Sequence, residues 1–205
     1  MKRTTFFVTV AAVFWFFIFS PWTARMINFW VGMCVATGVL SVLALRDRGP
    51  EDKDVFVFRW GHVGIGVLSA ILLYGVFWAG RCFLMSVIPG VKENIFAVYV
   101  NRSQASLWLV GFLLFFWIGP AEEIFWRACV QRRLQKRMSL PKALFLSSAI
   151  YASVHIFSAN PVLLLAALLC GFWWGGMFIV YRSVWPGIVS HAVWDVLVFI
   201  IFPLA

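Results

Sequence analysis

The sequence predicts an all-α fold: a polytopic membrane bundle of about seven transmembrane helices with a cytoplasmic N-terminus. Three observations predict it. The first is composition, since 63% of the 205 residues are hydrophobic and only 12% are charged, whereas a soluble domain is about half apolar and a quarter charged. The second is a series of apolar runs long enough to cross a hydrocarbon core of about 30 Å, which takes roughly 20 helical residues. The third is the placement of Lys and Arg, which alternates between connecting segments as membrane topology requires.

The runs lie near Thr5–Ser20, Ile27–Leu45, Gly61–Ile88, Ser106–Val130, Leu140–Phe157, Val162–Tyr181 and Pro186–Phe202. None shows the ten-residue dyad alternation of an outer-membrane barrel. The third and fourth are long enough to tilt or to project beyond the bilayer. Lys2-Arg3 followed by an apolar run resembles a signal peptide, but that run is long and Trp22-Thr23-Ala24 is a poor cleavage site, so an uncleaved first helix is expected. Between the third and fourth runs, Val91–Ala105 mixes Phe96, Val98 and Tyr99 with Lys92, Glu93, Asn94 and Arg102, the pattern of an interfacial segment.

With seven spans, one side of the membrane carries Lys2, Arg3, Arg46, Arg48, Lys53, Arg59, Arg132, Arg133, Lys136, Arg137, Lys142 and Arg182. The other carries only Arg25, Lys92 and Arg102. Twelve against three fixes the cytoplasmic side, and one span more or fewer would scramble the alternation. The net charge of +9 therefore reads as topology determinants facing anionic lipid, and no nucleic-acid partner is expected. Cys34, Cys82, Cys129 and Cys170 lie in apolar segments without CxxC or Cys/His spacing, so neither a disulfide framework nor a thiolate zinc site is indicated.

Charge inside the spans is the informative exception. Of eight acidic residues, Asp47, Glu51, Asp52, Asp54 and Glu93 fall in connecting loops, while Glu122, Glu123 and Asp195 fall within apolar segments. An ionisable group at membrane depth costs several kcal/mol unless paired or facing a wet cavity, and it defaults to a functional candidate. Three pairs at i,i+4 spacing, which places two side chains on one helical face, organise these segments. They are Glu123 with Arg127, Tyr151 with His155, and His191 with Asp195. Glu122 points about 100° away from Glu123. A hairpin centred near residues 138–139 leaves Glu122 and His155 each about 16 positions from the turn, hence at equal depth. The bland readings are an intrahelical ion pair for Glu123–Arg127, packing for Tyr151, an interfacial role for His62 and snorkelling for Arg81.

Glu122-Glu123-x-x-x-Arg127, then Tyr151-x-x-x-His155, then His191-x-x-x-Asp195, in that order on successive helices, resembles the CAAX protease and bacteriocin-processing family of intramembrane endopeptidases, which includes the type II CAAX prenyl endopeptidases. Val130-Gln131-Arg132-Arg133-Leu134 extends the likeness. Tyr151 stands where that family usually has Phe, and Asp195 where it more often has Asn. The resemblance covers roughly residues 107–202. It implies a single transmembrane domain, 1–205, in which 1–105 supplies helices without such a likeness and 106–203 forms the catalytic core in the last four helices.

What the resemblance implies chemically agrees with the residue types. Peptide hydrolysis needs a base to activate water and donors for the tetrahedral oxyanion. Glu122 is the expected base, with His155 helping to hold the water. Glu123 and Arg127 neutralise each other. His191 donates to the oxyanion, and Asp195 orients His191. No cofactor is favoured, although Glu122, His155 and His191 would make a zinc set of one carboxylate and two imidazoles. The expected partners are the lipid bilayer and a membrane-anchored protein or peptide substrate: a prenylated or CAAX-like terminus, a bacteriocin leader or a sorting segment. The expected location is a prokaryotic inner membrane. Glu, Asp and His within helices also serve proton relays and transporters, and a catalytically silent scaffold of the same fold is a third reading. Seven spans without an inverted repeat argue against a transporter.

Overall fold

Asn28, Ser106 and Asn160 each cap the start of a long helix with a side-chain oxygen. The computed structural model describes residues 2–205, and among these there is no strand. Helix α1 spans Lys2–Phe19. Asn28 opens α2, Phe29–Arg46, by accepting from the amides of Trp30 and Val31, the usual satisfaction of the orphan donors of a first turn. A 3₁₀ segment, Pro50–Phe56, leads to α3, Gly61–Val87. Short helix α4, Val91–Tyr99, continues as a 3₁₀ turn to Gln104. Ser106 caps α5, Leu107–Gln135. The remaining helices are α6, Leu140–Ser158, α7, Pro161–Tyr181, and α8, Trp185–Ile201, each with proline in its first turn, where a missing N–H costs nothing.

Six of these helices are long and apolar enough to cross a membrane, and α8 is a shorter apolar one. The outer surface agrees: Phe6, Leu68, Trp78, Phe83, Phe112 and Phe116 are exposed, a display that lipid accepts and water does not. The interior is built on aromatic bulk, and Trp15, Trp126 and Trp174 are, with Arg127, among its largest fully buried side chains. The protein is an integral membrane helical bundle.

Two connecting regions are more ordered than expected. The segment from Val91 is helical and buries Val91 and Ile95 while exposing Phe96. It is tied across the charge-poor end of the bundle: Asn160 Nδ2 donates to Asn94 O, Trp30 Nε1 to Asn101 O, and Tyr99 Oη to Val198 O. At the charge-rich end, Asp52 is buried rather than lying free in a loop. Lys136 Nζ lies 2.7 Å and Arg132 Nε 3.1 Å from its carboxylate, and Lys136 also reaches Glu51 at 2.9 Å. Arg3 and Arg133 both pair with Asp47. Part of the basic stretch 132–137 therefore serves intramolecular pairing and not lipid contact alone. Burial pushes the Asp52 carboxyl up, but hydrogen bonds from Lys136, Arg132 and the Gly49 amide outweigh it and hold the group below its ordinary value. Lys136 answers in kind. Desolvation works against its charge, yet the bonds to Asp52 and Glu51 prevail and raise it.

Helix α5 is not a uniform α-helix. Leu114–Ile118 and Ile124–Gln131 wind as π-helix, with Gly119–Glu123 between them. Pro120 removes one backbone donor there, and π segments are one way a helix absorbs such a gap. Ser41 of α2 donates to Ala121 O at 3.0 Å, the kind of side-chain bond that satisfies irregular backbone inside a membrane.

Candidate active site

The two glutamates sit between the π segments of α5, and close packing of α8 brings its polar face to them. Two glycines permit that approach. A Cβ on Gly119 would lie 3.3 Å from Ala192 N, and one on Gly187 would lie 2.8 Å from Glu123 Oε2. At these positions hydrogen is the only substituent that leaves the neighbouring backbone and carboxylate in place.

Glu123 and Arg127 form the expected intrahelical pair, Oε2 to Nε 3.3 Å, and both are 1% exposed. The approach lacks hydrogen-bond alignment, and Nη1 and Nη2 of Arg127 have no hydrogen-bond partner among the described residues. The guanidinium carbon lies 5.2 Å from the centre of the Tyr151 ring, a cation–π contact. The other oxygen of Glu123 meets His191, Oε1 to Nδ1 3.1 Å. With an ionised Glu123 as acceptor, Nδ1–H is the donor. His191 Nε2 lies 3.6 Å from Asp195 Oδ2, beyond hydrogen-bond reach, and the imidazole stacks on Trp174 with centroids 3.7 Å apart. The hydrogen bond that orients His191 thus comes from Glu123 of another helix, where the i,i+4 spacing suggests Asp195.

Glu122 has a different neighbour. Tyr151 Oη donates to Glu122 Oε2 at 2.9 Å, with both residues buried. The hairpin of α5 and α6 does bring the two polar segments together, but the side chain that bridges it belongs to Tyr151, one helical turn before His155. His155 is held by other groups. Trp15 Nε1 of α1 donates to its Nε2 at 3.1 Å, so Nδ1 carries the proton and bonds to Tyr151 O at 2.9 Å. Both imidazole nitrogens are occupied. Trp15, Tyr151 and Trp174 are the site residues that sequence reasoning misses. A hydroxyl replacing the family's usual phenylalanine is a visible signal for Tyr151. No pattern points to the other two.

Glu122, His155, His191 and Asp195 all line one cavity of about 390 Å³. Away from this polar end its walls are apolar, including Met33, Phe77 and Leu114. It extends to the charge-poor end of the bundle, where Arg81, Tyr99 and Asn160 lie. Glu123 and Arg127 stand behind it rather than on its wall. Zinc is tested by the donors themselves: neither nitrogen of His155 presents a free lone pair, and no three His, Cys, Asp or Glu side chains among the described residues group as a metal site. Zinc coordination by Glu122, His155 and His191 would require the Trp15 bond to His155 Nε2 to open first.

Fold and site together define a polytopic membrane protein with acid–base side chains buried at the end of an intramembrane cavity. Residues 104–197 match the model of the family described as Type II CAAX prenyl endopeptidase Rce1-like. The matched segment contains all three motifs, from Glu122 to Asp195. No curated protein and no solved structure matches the chain.

Proposed function

We propose that this protein is an intramembrane endopeptidase of the prokaryotic inner membrane in which Glu122 activates the attacking water. The family match over residues 104–197 supports a membrane protease. One observation carries the finer assignment. Glu123 is committed to Arg127 and His191 behind the cavity wall, whereas Glu122 faces the cavity and, among the described residues, is held by a neutral hydroxyl donor alone.

In this reading a water against Glu122 gives up a proton to the carboxylate as its oxygen bonds to the scissile carbonyl carbon. The Tyr151 hydroxyl fixes the carboxylate by holding Oε2. The tetrahedral oxyanion is met by His191, which Glu123 holds through Nδ1 and which donates from Nε2 when that nitrogen is protonated. Collapse of the intermediate breaks the C–N bond, and Glu122 returns its proton to the departing amine. Asp195, on the same wall, flanks Nε2 without hydrogen-bonding it. His155 supports Tyr151 from below, and it takes part in holding the water once the Trp15 indole releases its Nε2.

The substrate class follows from the walls. An apolar cavity with one polar end suits a membrane-anchored or lipid-modified peptide whose apolar part lies along the cavity and whose scissile bond reaches Glu122. The test compares membranes from cells expressing the wild-type chain and Glu122→Gln by mass spectrometry of newly formed peptide termini. Termini close to apolar segments are expected only with wild type, with both proteins present at similar levels. Cleavage that survives Glu122→Gln would remove Glu122 from the role of base.

A further inference from the structure

After α8 ends at Ile201, the chain does not leave the bundle. It runs without regular structure through Phe202 and Pro203, which are exposed, to Leu204, which lines the charge-poor end of the cavity. Side chains from two other helices take hold of its backbone. Tyr74 Oη donates to Phe202 O at 3.2 Å, and Arg81 Nε donates to Leu204 O. Tyr99 Oη accepts from Leu204 N at 3.0 Å while donating to Val198 O at 3.0 Å. The Leu204 side chain is 9% exposed and lines the same cavity as Glu122.

These contacts have the logic of peptide recognition, in which main-chain hydrogen bonds give affinity and a buried side chain gives selectivity. Arg81 supplies the strongest of them. It is a cation inside an apolar helix, and such a group must pair with a charge or a backbone carbonyl. Here it takes the carbonyl of Leu204, a charge-assisted bond. Snorkelling alone leaves that direction unexplained.

We propose that Tyr74, Arg81 and Tyr99 form a binding site for an extended apolar peptide at the mouth of the cavity, and that residues 202–204 occupy it as an intramolecular strap. An incoming peptide displaces the strap and takes over its backbone contacts. The second part rests on the reading of this cavity as the protease active site; the binding site itself does not. Tethering gives the strap an effective concentration of order millimolar, so a free peptide competes poorly while the strap is in place.

The test uses Glu122→Gln protein in nanodiscs, so that binding is read without cleavage, and a dye-labelled peptide of sequence Phe-Pro-Leu-Ala followed by fluorescence anisotropy. A chain ending at Ile201 is expected to bind this peptide at least about tenfold more tightly than the full chain. Adding Arg81→Gln to the shortened chain is expected to weaken binding by about tenfold or more, the scale of one charge-assisted hydrogen bond. Full-length Leu204→Asp, which drives the strap from its apolar seat, provides the same comparison if the shortened chain fails to fold. Equal binding by strapped and released proteins, including none by either, overturns the proposal, as does indifference to Arg81→Gln. Peptide binding by a protein whose wild type cleaves nothing would sink the protease reading and leave this site standing.

Discussion

Gly187→Ala perturbs the site through a single atom. The added Cβ would lie 2.8 Å from Glu123 Oε2, closer than non-bonded carbon and oxygen tolerate. A free carboxylate would swing aside at little cost. This one is 1% exposed, pulled by Arg127 at 3.3 Å and bonded to His191 at 3.1 Å. Relief therefore comes from spreading α5 and α8 or from breaking the histidine bond. Overpacking costs about 1–3 kcal/mol, and a hydrogen bond to a charged group contributes about 1.5–3 kcal/mol. The expected loss is then about 1–3 kcal/mol, set by whichever route relieves the strain at lower cost. Thermal unfolding in detergent micelles measures it, with Gly75→Ala as control because nothing lies within 4 Å of a Cβ there. The decisive arm is a double-mutant cycle with Glu123→Ala. If the carboxylate is what the new methyl strikes, the penalty of Gly187→Ala shrinks to near zero once that carboxylate is gone. A penalty of equal size in both backgrounds, or none in either, would refute the reasoning.

Three further outcomes are expected. Arg127→Gln leaves Glu123 as an uncompensated buried charge and destabilises by about 3–5 kcal/mol, measured by the same unfolding assay; wild-type stability would show that the pair contributes little. Trp15→Phe keeps the aromatic packing but removes the N–H that holds His155, costing about 1 kcal/mol and shifting the ¹⁵N resonance of His155 Nε2, whereas an unmoved resonance would contradict the bond. Asp52 is held below its ordinary value, so its stabilisation is present at neutral pH and is lost as pH falls below the usual Asp range through the depressed folded value. Hydrogen-exchange protection across residues 50–56, taken relative to the intrinsic amide rate at each pH, should fall on acidification in the wild type and be already low and nearly independent of pH in Asp52→Asn.

The span pattern and the polar spacings carry much of this structure because both are local. Apolar length places six crossing helices and the shorter α8, and i,i+4 spacing is enough to set Glu123 beside Arg127. Contacts between distant elements leave no such trace. Trp15 meets His155 across 140 positions, and nothing in an aromatic-rich first helix distinguishes that tryptophan from those facing lipid. Asp52 looks like any loop carboxylate until the turn of residues 50–56 folds beneath α5 and brings it to Arg132 and Lys136. For His191 the local signal competes with a tertiary one. Asp195 has the right spacing along the helix, but close packing permitted by Gly187 gives the shorter contact to Glu123. At Tyr151 the extra hydroxyl is visible, yet only the register of α5 against α6 reveals that it lands on Glu122.

The indole of Trp15 and the hydroxyl of Ser41 bear on how this protein is to be divided. Both come from helices that precede the family-matched segment, and each bonds a group within it: the imidazole of His155 and the carbonyl of Ala121. A chimera that grafts residues 104–197 beneath leading helices without a tryptophan and a serine at these two places would inherit all three motifs and lose both bonds. The transplantable unit is accordingly larger than the segment by which the family is known, and restoring a tryptophan and a serine at these two places is the minimal repair such a graft would need.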